Sequence, residues 1–460
     1  MTATTELAAR LEQVVPAGQL CGDTAERETF AIYGRAPEVI ARPHSAEEVA
    51  EVVKFAIVEK LGVLACGSRS KLEMGLPPQR YDIALDMKGL KAIAHYDAKD
   101  LTLSVDAGME LRELENRLAA ERQFLPLAVP CFETSTIGGA VASGIDSSLR
   151  QQYGTSRDFL IGAEFVDGAG KLCKSGGRVV KNVTGYDLHK LLIGSLGTLA
   201  AITRLNFRTF PLPETHAGFL ASFRNTEQAL GFYGELQRSG LPLSDVELLA
   251  PDISGHLVDV LQKGTGGAPP ELARDGWNLY AAFEGNEAIV KRMTSELQRR
   301  SQAAGAKYGE ALDAGVDANL GGLLREAFDW LRWASPAAVI LRFALPDLGG
   351  DGLIEILEMA SECQVPSAFL FRARQVGYLT LLGEGVKAGE ELNVRKLVER
   401  ISKVVAKKDG SASLLHAPFA LRQSDLERGK GRGDFAMMNR VKQSFDLNNV
   451  FGPGRFLGGI

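Results

Sequence analysis

Three segments rich in small residues interrupt the first half of this chain. They restrict its possible folds more than any other feature. Ala65-Cys-Gly-Ser-Arg-Ser-Lys-Leu-Glu-Met-Gly75 follows a short apolar run. Pro130-Cys-Phe-Glu-Thr-Ser-Thr-Ile-Gly-Gly-Ala-Val-Ala-Ser-Gly144 stands inside a long aperiodic stretch. Lys181-Asn-Val-Thr-Gly-Tyr-Asp187 leads on to Ile193-Gly-Ser-Leu-Gly-Thr-Leu-Ala-Ala-Ile-Thr203. Glycine and serine are what a chain needs where backbone N–H groups must come close to a phosphate. One such loop is common. Three in one domain, in this order, are specific.

The elements around them are legible from pattern. The residues before Ile32 form a helical lead-in, and Glu38 to Arg42 a strand closed by Pro43. Ser45-Ala-Glu-Glu48 is a capping box, followed by an apolar stripe at Val49, Val52, Val53, Ala56 and Ile57. Gly62 ends that helix, and Val63–Cys66 is a buried strand opening into the loop from Gly67 to Gly75. Further strands are expected at Asp82–Asp86 and Leu101–Asp106, then a helix with Leu111, Leu114 and Leu118 on one face. The stretch from Pro126 to Arg157 is too long for a passive loop and reads as an ordered binding segment. Phe159–Val166 and Lys171–Cys173 form a hairpin about Asp167-Gly-Ala-Gly170.

The pattern breaks at Thr209-Phe-Pro-Leu-Pro213, which marks a domain boundary. Beyond it, strands are expected at Val246–Ala250, Trp277–Phe283, Ala337–Ala344, Ala368–Arg372, Gly377–Leu382 and Ala412–His416. Helices fall at Asn286–Gln302, Leu353–Glu362 and Glu390–Val405, which suggests one sheet covered by helices on one face. A chain of 460 residues with 45% hydrophobic content suits two or three such units. The divisions are a lead-in (1–31), a first domain (32–212), a second (213–440) and a tail (441–460) that returns to the first.

Several functions are excluded by what the chain lacks. A net charge of -5 argues against a nucleic-acid partner. No run approaches ~18 uninterrupted apolar residues, so no direct membrane span is expected. The N-terminal MTATTELAARLEQVV lacks the apolar core of a signal peptide, which points to a cytoplasmic protein reaching any membrane only through partners. Five scattered cysteines (Cys21, Cys66, Cys131, Cys173 and Cys363) form no CxxC pair, and six histidines show no HxxxH or HExxH spacing. No metal site, iron–sulfur cluster or disulfide framework is expected from that pattern. A GxGxxG turn and a GxxxxGK[ST] loop are both missing.

Taken in order, the three segments resemble the FAD-binding domain of the vanillyl-alcohol oxidase (para-cresol methylhydroxylase) superfamily. Gly67 to Gly75 is similar to its pyrophosphate loop, and Thr136 to Gly144 to the segment lining the flavin. Tyr153-Gly-Thr-Ser-Arg-Asp158 and Gly194-Ser-Leu-Gly-Thr-Leu199 are similar to its other cofactor signatures. Gly176-Gly-Arg-Val-Val-Lys-Asn-Val-Thr-Gly-Tyr-Asp187 resembles the pattern of the E-type glycolate oxidase family within it. The tail Phe445-Asp-Leu…Phe-Gly-Pro-Gly-Arg455 resembles a closing motif, with Gly452 where asparagine is common.

The resemblance implies an α+β fold: a two-subdomain PCMH-type FAD-binding domain, then an α+β cap domain with a mainly antiparallel sheet. It implies non-covalent FAD, because no histidine or His/Cys pair stands where some relatives bond the flavin covalently. The implied cofactor contacts are Gly67, Ser68, Arg69, Ser70, Lys71, Gly75, Pro130, Ser135, Thr136, Gly138, Gly139, Ser143, Gly144, Arg157, Gly197 and Ile202. The implied activity is oxidation of a small 2-hydroxy acid such as glycolate. The implied partners are a catalytic FAD paralogue subunit and an iron–sulfur subunit. A non-catalytic FAD-binding assembly or relay subunit, and a stand-alone flavin dehydrogenase for another alcohol, are the alternatives.

Catalytic candidates are few. His416, at the end of a cap strand, is the candidate base, weighed against a structural histidine. Arg455 and Arg422 are candidate carboxylate clamps, weighed against structural roles. Lys181 and Asn182 are weighed between flavin contact and local hairpin bonds, and Asp187 is read as a helix cap. An arginine at position 69 implies strain if its φ is positive, or charge aimed at a pyrophosphate. Gly429-Lys-Gly-Arg-Gly433 reads as a solvated loop.

Overall fold

The structure, a computed structural model, describes residues 6–178, 185–263, 272–326, 338–346, 351–362, 367–372, 376–381, 390–422 and 431–460. Lys181, Asn182 and Cys363, and residues 429 and 430 of the solvated-loop reading, lie outside them.

Two small sheets build the N-terminal part. In the first, Val39–Ala41, Ile83–Asp86 and Val63–Cys66 run parallel, and Leu20–Cys21 pairs antiparallel with Val39–Ala41. The lead-in therefore contributes a strand as well as the helices Glu6–Leu11 and Thr24–Glu28. Helix Ala46–Glu59 covers this sheet through Val49, Val52, Val53 and Ala56, all of them buried. Ser45 Oγ accepts from Glu48 N–H at 3.1 Å, while the Glu48 carboxylate takes the His44 N–H at 2.7 Å. The expected stop at Gly62 is replaced by Lys60, which caps the helix in the left-handed conformation at φ 56°.

The second sheet is antiparallel, in the order Ile93–Asp97, Thr102–Asp106, Ala201–Arg208, Leu160–Val166, Leu172–Gly176. Ile93–Asp97 went unread in the sequence because it is half-exposed and lacks an apolar run. Helices Leu111–Ala119 and Ile137–Ser143 close the core of this sheet. The second helix lies inside the stretch that reads as aperiodic, because its Gly138 and Gly139 hide the period.

Beyond Pro211 the chain enters an eight-stranded antiparallel sheet that begins at Thr215–Phe223. Alternate residues of a strand face opposite sides. Phe219, Ala221 and Phe223 pack under helices Thr226–Arg238, Glu287–Ala303, Asp351–Glu362 and Glu390–Lys407. Leu220, Tyr280 and Ala282 instead meet helices Pro251–Lys263 and Ala314–Arg325. The sheet is thus covered on both faces, and the one-face expectation is corrected. Helices Pro251–Lys263 and Ala314–Arg325 went unread in the sequence, which left that face without a cover. The C-terminal residues return to the first sheet, where Gly452 N–H donates to Val63 O at 2.9 Å.

Candidate functional site: two joined cavities

Strand Val63–Cys66 ends at Gly67, where the chain turns across Thr136. A Cβ on Gly67 would lie 2.0 Å from Thr136 Oγ1, so only glycine lets these two segments cross. Thr136 caps helix Ile137–Ser143, accepting from Gly139 N–H at 3.2 Å. Gly138 lets that helix sit on the end of strand Thr102–Asp106, since a Cβ there would be 2.7 Å from the Ala107 side chain. The third segment is pinned alongside, with Gly194 N–H bonded to Val141 O and Leu196 N–H to Ala142 O.

Together these segments line a cavity of about 770 Å³, open solvent at its mouth included. Gly67, Ser68, Arg69, Ser70, Lys71, Ser135, Thr136, Gly138, Gly139, Ser143, Gly197, Ile202 and Arg455 all line it. Gly75, Pro130, Gly144 and Arg157 do not. Gly75 packs against the tail, where Leu76 N–H bonds Arg455 O at 2.8 Å. Gly144 is the left-handed cap of its helix, at φ 62°. The Arg157 side chain is exposed beside Lys190. Asp187 does not cap the next helix by its side chain: helix His189–Leu192 begins after Leu188 with no side-chain cap.

The cavity is electropositive. Arg69, Lys71 and Arg455 line it, and no carboxylate does among the described residues. The backbone N–H groups of Ser68, Arg69 and Gly197 meet no acceptor among the described residues. Arg455 is 2% exposed; it donates to Leu72 O at 2.6 Å, and its buried Nε has no hydrogen-bond partner. Burial lowers its guanidinium below the ordinary arginine range. Arg69 does adopt a positive φ, 67°, and its guanidinium stacks 4.3 Å above the Phe30 ring. The expectation of backbone strain is met at this residue, while its guanidinium rests on Phe30. Cys66 also lines the cavity, but burial pushes its thiol up to about 12, which leaves it protonated.

A second cavity, about 450 Å³, opens beside the first and shares Ser70 and Lys71 with it. Pro130, Cys131, Glu73 and His416 line its wall. His416 ends strand Ser411–His416, with Nδ1 3.6 Å from Glu73 Oε2. Arg422 is committed elsewhere: its nitrogens donate to Tyr33 Oη and to the carbonyls of Leu414, Glu73 and Leu415. It therefore ties the eight-stranded sheet to the N-terminal loop. Sequence reasoning missed Met87 and Ala107 in the larger cavity and Ile340 in the smaller, whereas Leu196, Ala200 and Glu73 fall inside the small-residue segments it singled out. Strand ends at Asp86 and Asp106 were the available signal for Met87 and Ala107; Ile340 had none.

Among the described residues, no cluster of His, Cys, Asp and Glu could hold a metal ion, and no helix is long and apolar enough to cross a membrane.

Residues 37–176 match the family model of an FAD binding domain, and residues 379–456 match the C-terminal domain of FAD linked oxidases. The chain is similar to glycolate oxidase subunit GlcE of Escherichia coli (strain K12), 33% identical over 43% of this chain and 56% of that protein. That match spans just over half of the GlcE length. It is also similar to a D-lactate dehydrogenase of Anaerostipes hadrus, 28% identical over 98% of this chain and 97% of that protein. The fold is that of p-cresol methylhydroxylase, with a TM-score of 0.76 at 16% identity, covering 100% of this chain and 98% of that one.

Proposed function

From the premise that this chain is an FAD-linked oxidoreductase, we propose that it holds non-covalent FAD in the larger cavity and serves as the FAD-binding subunit of a glycolate-type 2-hydroxy acid oxidase or dehydrogenase. One observation carries the reading: three small-residue segments meet at a cavity lined by three basic residues and no described carboxylate. Such a wall suits a pyrophosphate, which asks for backbone N–H groups and cations together. Ser68, Arg69 and Gly197 would offer N–H groups, and Arg455 its partnerless Nε. Leu64, Ala107 and Ile202 would hold the apolar part of the cofactor. When bound, FAD supplies a two-electron acceptor for the α-C–H of the substrate. His416, oriented by Glu73, would take the hydroxyl proton. Met74, Ile145, Ile340 and Leu415 would keep water from that step.

The likeness to GlcE, a glycolate oxidase subunit, supports a place in a multi-subunit complex, for which a catalytic flavoprotein and an iron–sulfur subunit are the proposed partners. The end-to-end likeness to a D-lactate dehydrogenase, with the His416–Glu73 pair at the second cavity, supports a second reading in which the chain oxidises a 2-hydroxy acid alone. Acid precipitation tests the cofactor: yellow colour is expected in the supernatant, and flavin retained in the pellet would contradict non-covalent binding. Dye-linked assay of the purified chain with glycolate and D-lactate separates the two roles. Turnover only after partners are added supports the subunit. Turnover by the chain alone, lost in His416→Ala, supports the self-sufficient enzyme.

A further inference from the structure

We infer that the second cavity is an anion site in which the Lys71 ammonium receives the carboxylate of a small hydroxy acid. The inference rests on the flavin reading, since Lys71 borders both cavities.

Among the described residues four cations stand close to the joint, and geometry separates them: Arg69 stacks on Phe30 and lines only the larger cavity. Arg422 spends its guanidinium on Tyr33 Oη and three carbonyl oxygens. Arg455 lines the larger cavity but not the smaller one. Lys71 is the only lysine or arginine among the described residues of the second cavity. Its Nζ donates to Ser135 Oγ at 2.6 Å and to Ser70 Oγ at 3.1 Å, which fixes a long, flexible side chain at the junction. A cation held in place loses less conformational freedom when an anion arrives.

The remaining walls define what the anion carries. Met74, Pro130, Ile145, Ile340 and Leu415 offer no polar side-chain group. The cavity's described titratable groups besides Lys71 and Cys131 are Glu73 and His416, themselves 3.6 Å apart. A ligand with one carboxylate and a hydroxyl on the next carbon satisfies both ends, with the carboxylate on Lys71 and the hydroxyl toward His416. A second carboxylate would meet apolar walls or Glu73, so dicarboxylic hydroxy acids are disfavoured. Lys71 and Glu73 come from the loop after Cys66, and His416 comes from the eight-stranded sheet. The ligand would therefore bridge the two halves of the chain.

The test uses the FAD-loaded full chain and D-lactate under anaerobic conditions, read first as binding by calorimetry and by perturbation of the flavin absorbance. Acetate, which lacks the hydroxyl, and D-malate, which adds a carboxylate, are the comparison probes. D-Lactate is expected to bind most tightly of the three. Lys71→Ala should weaken D-lactate roughly tenfold or more, the loss expected for a charge-assisted contact, while Lys71→Arg recovers part of it. Leu415→Trp fills the cavity while keeping the Lys71 side chain in the sequence, and should abolish D-lactate binding while flavin content stays at the wild-type level. If Lys71→Ala also loses flavin, the Leu415→Trp result decides. D-Lactate binding unchanged in Leu415→Trp, or unchanged in a flavin-loaded Lys71→Ala, would overturn the inference. A wild-type chain that takes up no FAD would instead sink the flavin reading beneath it.

Discussion

The larger cavity and the buried seam between the two halves of the chain are both rich in charge, but they dispose of it differently. In the cavity Arg69, Lys71 and Arg455 stand without a carboxylate among the described lining residues. In the seam Asp146, Asp245 and Glu247 meet Arg150, Arg342 and Arg372. Arg372 Nε lies 2.6 Å from Glu247 Oε1, with both side chains fully buried. Arg342 Nε lies 2.5 Å from Asp146 Oδ2, which also accepts from Tyr378 Oη and has Arg150 on its other oxygen. Burial pushes the Asp146 carboxyl upward, but Arg342 and Arg150 outweigh it and hold it below the ordinary range. The seam pairs its arginines with buried carboxyl groups and so serves cohesion. The cavity leaves positive charge on its wall, which is what an anionic ligand needs.

The seam makes the larger prediction. Arg372→Met leaves Glu247 buried without its counter-charge, and should cost roughly 3–5 kcal/mol of stability. Urea unfolding measures it, and Arg372→Met with Glu247→Met should recover much of the loss. A single variant within ~1 kcal/mol of wild type would show that the seam is not held by this pair.

The cavity's counterpart is a loss of ligand with little loss of fold. Gly197 has φ 69° and a Cβ there would meet only Ala65 O at 3.9 Å, so the side chain would enter the cavity. At Gly139 a Cβ would be 3.0 Å from Thr136 Oγ1. Gly197→Val and Gly139→Val should each purify without flavin, with the eight-stranded sheet intact by circular dichroism. Yellow protein at wild-type stoichiometry in both would move the cofactor out of this cavity.

The smallest effect is a pH slope. Burial pushes the Asp245 carboxyl from 3.8 up to about 7, with Arg372 and a bond from Ser148 opposing. Its folded pKa therefore lies above its unfolded one, the reverse of a salt-bridged aspartate. The contribution is complete below the unfolded value and is lost as pH rises toward 7, at ~1.4 kcal/mol per pH unit. Stability should fall as pH rises from 5 to 7, and Asp245→Asn should make that slope shallower. Parallel slopes in variant and wild type would assign the titration to another group.

Local pattern was enough for much of this chain. The strand Val63–Cys66, the helix stripe from Val49 and the cap strands carry their periods in adjacent residues, and burial of an apolar face leaves little choice of element. The three small-residue segments were legible for a related reason, since close backbone approach permits few residue types. Tertiary structure alone decided the rest. Helix Ile137–Ser143 starts on a local cap from Thr136, but its place is set by Ala107, which receives Gly138 in a contact that no local window contains. Arg455, Arg422 and Arg372 are alike in sequence. One keeps a buried Nε without a partner at a cavity, one ties a loop to a sheet, and one neutralises a glutamate, as the atoms surrounding each guanidinium dictate. His416 and Glu73 lie hundreds of residues apart, and the pairing of His416 with Ile340, together with the Arg422 bridge from Glu73 O to Leu415 O, sets them on one wall. The sequence by itself determined which backbone must come close to a ligand, because that is a steric property of each residue. Which charges stay available for that ligand was decided by the fold, because charge balance depends on neighbours that distant segments supply.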